Sequence, residues 1–151
     1  LNGNIIDFGT GAGFPGAVLS ILGASKIFLV ESNKKKCNFL TKLKKETNSN
    51  FNIINSRIEN LDFLDPSLIV SRALTSTKNL LLFSIDHMLK SKKINSKKEA
   101  IKNLPNLLFL KGKTFREELN DIPENLKIKF QTFPSITSAE SRILLYSKNI
   151  L

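Results

Sequence analysis

Asn4-Ile5-Ile6-Asp7-Phe8-Gly9-Thr10-Gly11-Ala12-Gly13-Phe14-Pro15-Gly16 is the stretch whose reading decides the fold. An apolar run leads into an aspartate, then a glycine-rich turn, then a proline and a helical pattern. This order predicts the first strand of an open α/β sheet, a tight loop, and a helix over about Phe14 to Leu22. Gly9, Gly11 and Gly13 allow positive φ and leave no Cβ above the loop, so a bulky ligand can lie against bare main chain. Pro15 suits the first helical turn, where its missing N–H has no partner to lose. The loop amides and the helix N-terminus favour a carboxylate or phosphate.

The identity of that ligand is the next question. Gly11-x-Gly13-x-x-Gly16 satisfies the dinucleotide fingerprint, and Glu31 follows Gly11 by twenty residues. The register argues against a dinucleotide, because there the first glycine closes the strand directly. Here Asp7 and Gly9 come first, giving Asp-x-Gly-x-Gly-x-Gly. That pattern resembles the first motif of class I methyltransferases, which use S-adenosylmethionine. In those enzymes the acidic residue and the loop amides organise the site for the methionine part. On the residues alone, S-adenosylmethionine, a dinucleotide and a purely structural turn all stay open.

With 151 residues, 41% of them hydrophobic, the chain can bury one sizeable core, so a single domain over 1–151 is expected. The net charge of +10 points to a polyanionic partner, RNA foremost, although a lysine-rich composition also serves solubility. The single cysteine, Cys37, excludes a disulfide framework and a multi-cysteine metal site. A reducing, cytoplasmic compartment is the default expectation, and no apolar run approaches a membrane span. Neither membrane nor metal is expected as a partner, and a monomer is expected. The chain begins at Leu1, within four residues of a core strand, and so reads as a piece lacking its N-terminal part.

Further along, Lys26 to Glu31 is a nearly continuous apolar run ending in an acid, the pattern of a strand covered on both faces. Glu31 then sits at the carboxyl edge of the sheet, where open α/β folds place ligands. A carboxylate there can accept from both hydroxyls of a ribose, or it can cap the next helix. That helix starts after Ser32 or Asn33, with Lys34, Lys35 and Lys36 in its first turn and Phe39, Leu40 and Leu43 at helical spacing. Cys37 is read as packing inward. Phe51 to Ile54 is the third strand. In the S-adenosylmethionine reading its exit borders the adenine, with Ile58 on the base and Glu59 near its polar edge. Ser67 to Val70 is the fourth strand, and Arg72 at its carboxyl end is expected to face the site. A helix over about Thr75 to Leu89 follows, with His87 read as a surface or helix-face residue.

Lys90 to Asn103 holds six lysines against one glutamate, half of the net charge. It reads either as a flexible RNA-contacting insertion or as a solvated lysine loop. Leu107 to Leu110 is the fifth strand, and Phe115 to Leu119 is a short helix. Lys127 to Phe133 alternates as an antiparallel strand does, and Arg142 to Tyr146 makes the last strand. The expected architecture is α/β: a Rossmann-like class I methyltransferase with a mostly parallel seven-stranded sheet whose last strand is antiparallel.

The whole chain resembles the RsmG family, also called glucose-inhibited division protein B. The matching stretches come in family order: DFGTGAGFPG at Asp7–Gly16, LVESNKKKCNFL at Leu29–Leu40, NSRIE at Asn55–Glu59, SRAL at Ser71–Leu74, LKGK at Leu110–Lys113, and the strand that begins at Arg142. The resemblance implies a bacterial enzyme that methylates N7 of a guanine in the decoding region of 16S rRNA, acting on the rRNA or the small ribosomal subunit. By position it puts cofactor contacts on Gly9, Phe14, Ile58, Glu59 and Arg72, with Glu31 at the ribose. Asp7, Gly11 and Gly13 join them as the loop itself. Basic residues of functional weight fall on Lys35, Lys36, Arg57, Arg72, Lys111 and Arg142. Of these, Arg72 is placed between cofactor and target; Arg57, Lys111 and Arg142 are assigned to phosphates and the guanine O6 edge. Arg72, Lys111 and Arg142 form the expected catalytic set. The family's helical N-terminal extension is missing here, and the Lys90–Asn103 segment is longer than the family pattern. An NAD-binding oxidoreductase and a non-catalytic RNA-binding module on the same fold are the competing functions.

Overall fold

The computed structural model describes residues 3–148. Seven strands run β1 (Asn4–Phe8), β2 (Ile27–Glu31), β3 (Phe51–Asn55), β4 (Pro66–Arg72), β5 (Asn106–Lys111), β6 (Gln131–Pro134) and β7 (Arg142–Tyr146). Five α-helices among these residues run α1 (Gly16–Ile21), α2 (Lys34–Glu46), α3 (Thr77–Leu89), α4 (Lys97–Lys102) and α5 (Phe115–Asn120). The strands form one sheet in the order β3-β2-β1-β4-β5-β7-β6. Pairing from β3 through β5 is parallel, whereas β7 runs antiparallel to both of its neighbours. The mostly parallel sheet with an antiparallel last strand is therefore present.

The near-continuous apolar strands have the reason anticipated for them, since the sheet is covered on both faces. Side chains alternate across it. Ile6, Phe8, Val30, Ile69 and Phe109 join the core under α3, α4 and α5. Ile5, Leu29, Val70 and Phe51 join the core under α1 and α2, which includes Leu40. β1 lies between β2 and β4, so the loop that follows it opens at the carboxyl edge of the sheet's centre.

Several elements differ from expectation, each for a local reason. α1 starts at Gly16 and ends at Ile21, so Phe14 and Pro15 belong to the loop, and Leu22, just past the helix, is 78% exposed. α3 starts at Thr77 because the Ser76 hydroxyl accepts from the Asn79 N–H at 3.3 Å and caps the helix there. Phe39 is half exposed; the buried side of α2 is carried by Cys37 and Leu40. The ladder of β6 is confined to Gln131–Pro134, while Ile128 and Phe130 pack on the core ahead of it. The lysine-rich segment is docked and partly helical instead of being a free loop, although Lys92, Lys93, Lys97, Lys98 and Lys102 stay exposed as a solvated run does. Ser96 caps α4, Ala100 and Leu104 are fully buried, and Ile94 packs beside them. The Lys90 ammonium donates to the carbonyls of Glu59 and Leu61. His87 is also inside: it is 2% exposed, lies between Phe8 and Phe63, and its Nε2 accepts from the Leu64 N–H at 3.3 Å.

Candidate active site

The glycine loop is braced from below. Asp7 is fully buried, and its Oδ2 accepts from the Thr10 hydroxyl at 2.6 Å and the Gly16 N–H at 2.8 Å. Burial raises its carboxyl to about 6, against the lowering effect of those two bonds. A Cβ at Gly16 would strike Leu29 and Asp7, so only glycine lets α1 start this close to the strand. Gly13 is buried, and a Cβ there would lie 2.8 Å from the Ala17 Cβ. Asp7 and Gly13 thus support the loop without lining the space above it. Gly11 differs: its φ is +61°, and an added Cβ would find only the Gly9 carbonyl, at 3.9 Å. Its bare side opens onto the cavity.

That cavity measures about 800 Å³ and runs along the carboxyl edge of the sheet. Gly9, Gly11 and Phe14 supply one wall, and Glu31 and Lys36 another. Arg57, Ile58 and Glu59 line the side beyond β3, and Arg72 lines the side beyond β4. Glu31 is 7% exposed; its Oε1 accepts from the Asn33 N–H at 2.8 Å and its Oε2 from the Gly11 N–H at 3.0 Å. It therefore ties the β1 loop to the turn into α2 while bordering the cavity. The Lys36 ammonium stands 4.0 Å from the same carboxylate. Arg72 is exposed, with its guanidinium 5.4 Å from the centre of the Phe14 ring, which is itself 49% exposed.

Other nominated residues stand apart. Lys35 is exposed on the first turn of α2 but outside the cavity wall. Lys111 corrects an expectation: it is 6% exposed, and its ammonium is 2.7 Å from Glu118 Oε2 and 2.6 Å from the Thr75 carbonyl. A cation enclosed and paired in this way does not meet an RNA phosphate or a guanine edge. Arg142 pairs with Lys111 across β5 and β7. Its Nη1 donates to the carbonyls of Ala139 (2.6 Å) and Ser141 (2.8 Å), and its guanidinium lies 5.5 Å from the Phe115 ring centre. Neither Lys111 nor Arg142 lines the cavity, so Arg72 alone of the expected catalytic set is there.

Sequence reasoning missed Leu74, Thr75 and Phe83, which also line the cavity. Phe83 reaches it from the middle of α3, and no local signal marks such a tertiary contact. Leu74 follows Ala73, whose φ of +50° turns the chain back over Gly9. Cys37 is buried as read, with burial and then the Glu31 charge pushing its thiol up. Among the described residues, no group of three or more His, Cys, Asp or Glu could hold a metal ion, and no helix is long and apolar enough to cross a membrane.

Residues 1–144 match the model of the family described as GidB, rRNA small subunit methyltransferase G. The chain belongs to the GidB family. Ribosomal RNA small subunit methyltransferase G of Rickettsia felis is 36% identical over 144 residues, covering 93% of this chain and 66% of that protein. The protein of the same name from Paramagnetospirillum magneticum is 32% identical over 140 residues, covering 93% and 62%. This GidB chain thus spans just under two thirds of the length of the curated relatives it matches. Among solved structures, magnesium protoporphyrin IX methyltransferase from Synechocystis with bound SAH is similar at a TM-score of 0.64 and 12% identity, covering 95% of this chain and 72% of that one. An rRNA methylase from Streptococcus thermophilus gives 0.61 and 9%, covering 95% and 84%. At such identities the likeness concerns the fold, which is that of the class I methyltransferases.

Proposed function

We propose that this GidB chain carries the methyltransferase core of an enzyme that moves a methyl group from S-adenosylmethionine to N7 of a guanine in the decoding region of 16S rRNA. The observation that carries the reading is the cavity at the carboxyl edge of the sheet, with the bare side of Gly11 facing it and Glu31 and Arg72 on its walls. Family membership supports the substrate class.

The residues present fit the cofactor. Main chain without a Cβ at Gly11 suits the methionine part. Glu31 keeps lone pairs beyond its two backbone bonds, and these suit ribose hydroxyls. Ile58 offers an apolar surface to the adenine, beside Glu59. When bound, S-adenosylmethionine supplies an electrophilic methyl: the guanine N7 lone pair forms the new N–C bond, and the C–S electron pair leaves to sulfur. N7 carries no proton, so this reaction needs no general base. Its task is to hold two reactants in line, an effect that supplies roughly 7–11 kcal/mol of the barrier. Arg72 sits at the cavity wall against Phe14, where it orients the incoming base. Exposed Arg57, Lys35 and Lys36 meet phosphates, in keeping with the charge of +10. The substrate is rRNA or the small subunit, the compartment is the cytoplasm, and the protein acts as a monomer.

Tritium transfer from labelled S-adenosylmethionine to rRNA of cells lacking the endogenous enzyme, followed by mapping of the labelled base, tests the reading. Incorporation at one guanine N7 is expected. Calorimetry showing affinity for NAD and none for S-adenosylhomocysteine would overturn it.

A further inference from the structure

The Arg72–Thr75 turn forms one wall of the cavity and contains a non-glycine residue, Ala73, in the left-handed region. Such a turn keeps its shape only if its surroundings hold it. Two anchors sit at its end. The Lys111 ammonium donates to the Thr75 carbonyl at 2.6 Å. Glu118 Oε2 accepts from the Thr77 N–H at 2.7 Å and from the Thr77 hydroxyl at 2.8 Å. The anchors are joined to each other by the 2.7 Å Lys111–Glu118 ion pair, and the Thr114 hydroxyl donates to Glu118 Oε1 at 3.1 Å. Burial pushes the Glu118 carboxyl up, but the bonds from Lys111 and Thr77 outweigh it and hold the group below its ordinary range.

We infer that Glu118 is a positioning residue for the cofactor cavity. Through Thr77 and Lys111 it clamps the Arg72–Thr75 turn against the glycine loop, and Lys111 belongs to this clamp instead of to the RNA surface. The mechanical link is short. Leu74, inside the clamped turn, occupies the space that a Cβ on Gly9 would need, with its Cδ1 2.5 Å from that point. Arg72, at the head of the same turn, is held over Phe14. A glutamate on α5, outside the cavity, therefore decides where Leu74 and Arg72 stand inside it. This inference rests on the cofactor reading above.

The test uses the full chain and two variants. Glu118→Ala removes the clamp and leaves the enclosed ammonium unpaired. The pair Lys111→Met with Glu118→Leu removes both ions together, which avoids that penalty and separates loss of the clamp from loss of the fold. Exchange of the Thr77 amide hydrogen reads the clamp without any cofactor and is expected to quicken roughly tenfold or more in both variants. Affinity for S-adenosylhomocysteine is expected to fall roughly tenfold in both, although the paired variant melts closer to the unaltered protein. On rRNA, kcat is expected to drop while KM for RNA stays within roughly threefold; an RNA contact at Lys111 would raise KM instead. Unchanged Thr77 exchange would overturn the clamp. Unchanged cofactor affinity and kcat in the paired variant would overturn its positioning role. If the unaltered chain fails to bind S-adenosylhomocysteine, the cofactor reading falls and the role in the cavity falls with it. Binding that is present in the unaltered chain and lost only in the variants supports both.

Discussion

Asp7 and His87 are both buried ionisable side chains, and they pull stability in opposite directions over the same pH range. Asp7 titrates near 6 when folded and near 3.8 when free. The folded state keeps its proton longer, so this contribution is full below about pH 4 and is lost as pH rises through 6. His87 is lowered from 6.5 to about 4, by burial first and by the Lys90 charge second. The folded state excludes its proton, so this contribution is full above pH 6.5 and is lost as pH falls towards 4. Each amounts to roughly 3 kcal/mol, on the scale of 1.4 kcal/mol per pH unit. In the unaltered chain they largely cancel. Asp7→Asn is expected to leave a protein that loses stability on acidification from pH 6.5, whereas His87→Gln leaves one that loses it as pH rises from 4. Urea unfolding at several pH values reads both slopes, and parallel profiles would contradict the assignment. In the cavity, Arg72→Ala is expected to lower methyl transfer by roughly a hundredfold (about 2.7 kcal/mol) with the melting temperature unchanged. Near-normal turnover would take Arg72 out of the site.

Among the elements, α2 shows how a site can rest on one cap. Asn33 Oδ1 accepts from the N–H groups of Lys35 (2.9 Å) and Lys36 (3.2 Å), while the Asn33 N–H holds Glu31. Three lysines in that first turn oppose the helix dipole, so the cap carries more than its usual share. Asn33→Ala is expected to cost about 1 kcal/mol and Asn33→Asp to cost nothing, measured as shifts in denaturant midpoint. The cap was legible from Ser32-Asn33 and the helix that follows, and the opening strand–loop–helix was legible from its glycines. The Lys90–Asn103 segment was not. Its lysines read as solvent-facing, while its few apolar members, Ile94, Ala100 and Ile101, were too sparse to show a helical period. They dock because a facing core existed to receive them.

Across the whole molecule, the charge of +10 sets the long-range field, and the exposed Lys34, Lys35, Lys36 and Arg57 place part of it beside the cavity. RNA affinity is expected to fall steeply with salt. Replacing Lys34, Lys35 and Lys36 together with Gln should flatten the log–log slope by about 0.7 for each phosphate that is no longer neutralised. Filter binding at several salt concentrations measures it, and an unchanged slope would remove that turn from the RNA surface.

By itself the sequence determined the sheet, the bend after β1 and the family. These depend on local periodicity, on backbone freedom at a few glycines, and on motif spacing, all of which act over a few residues. Tertiary structure alone decided which charges are free. Lys111 and Arg72 both stand at strand ends and look alike as letters. A glutamate on α5 encloses the first, whereas the second stays exposed beside Phe14. Pairing of a charge depends on what folds against it from a distance in the chain, so only the folded molecule separates a clamp from a contact.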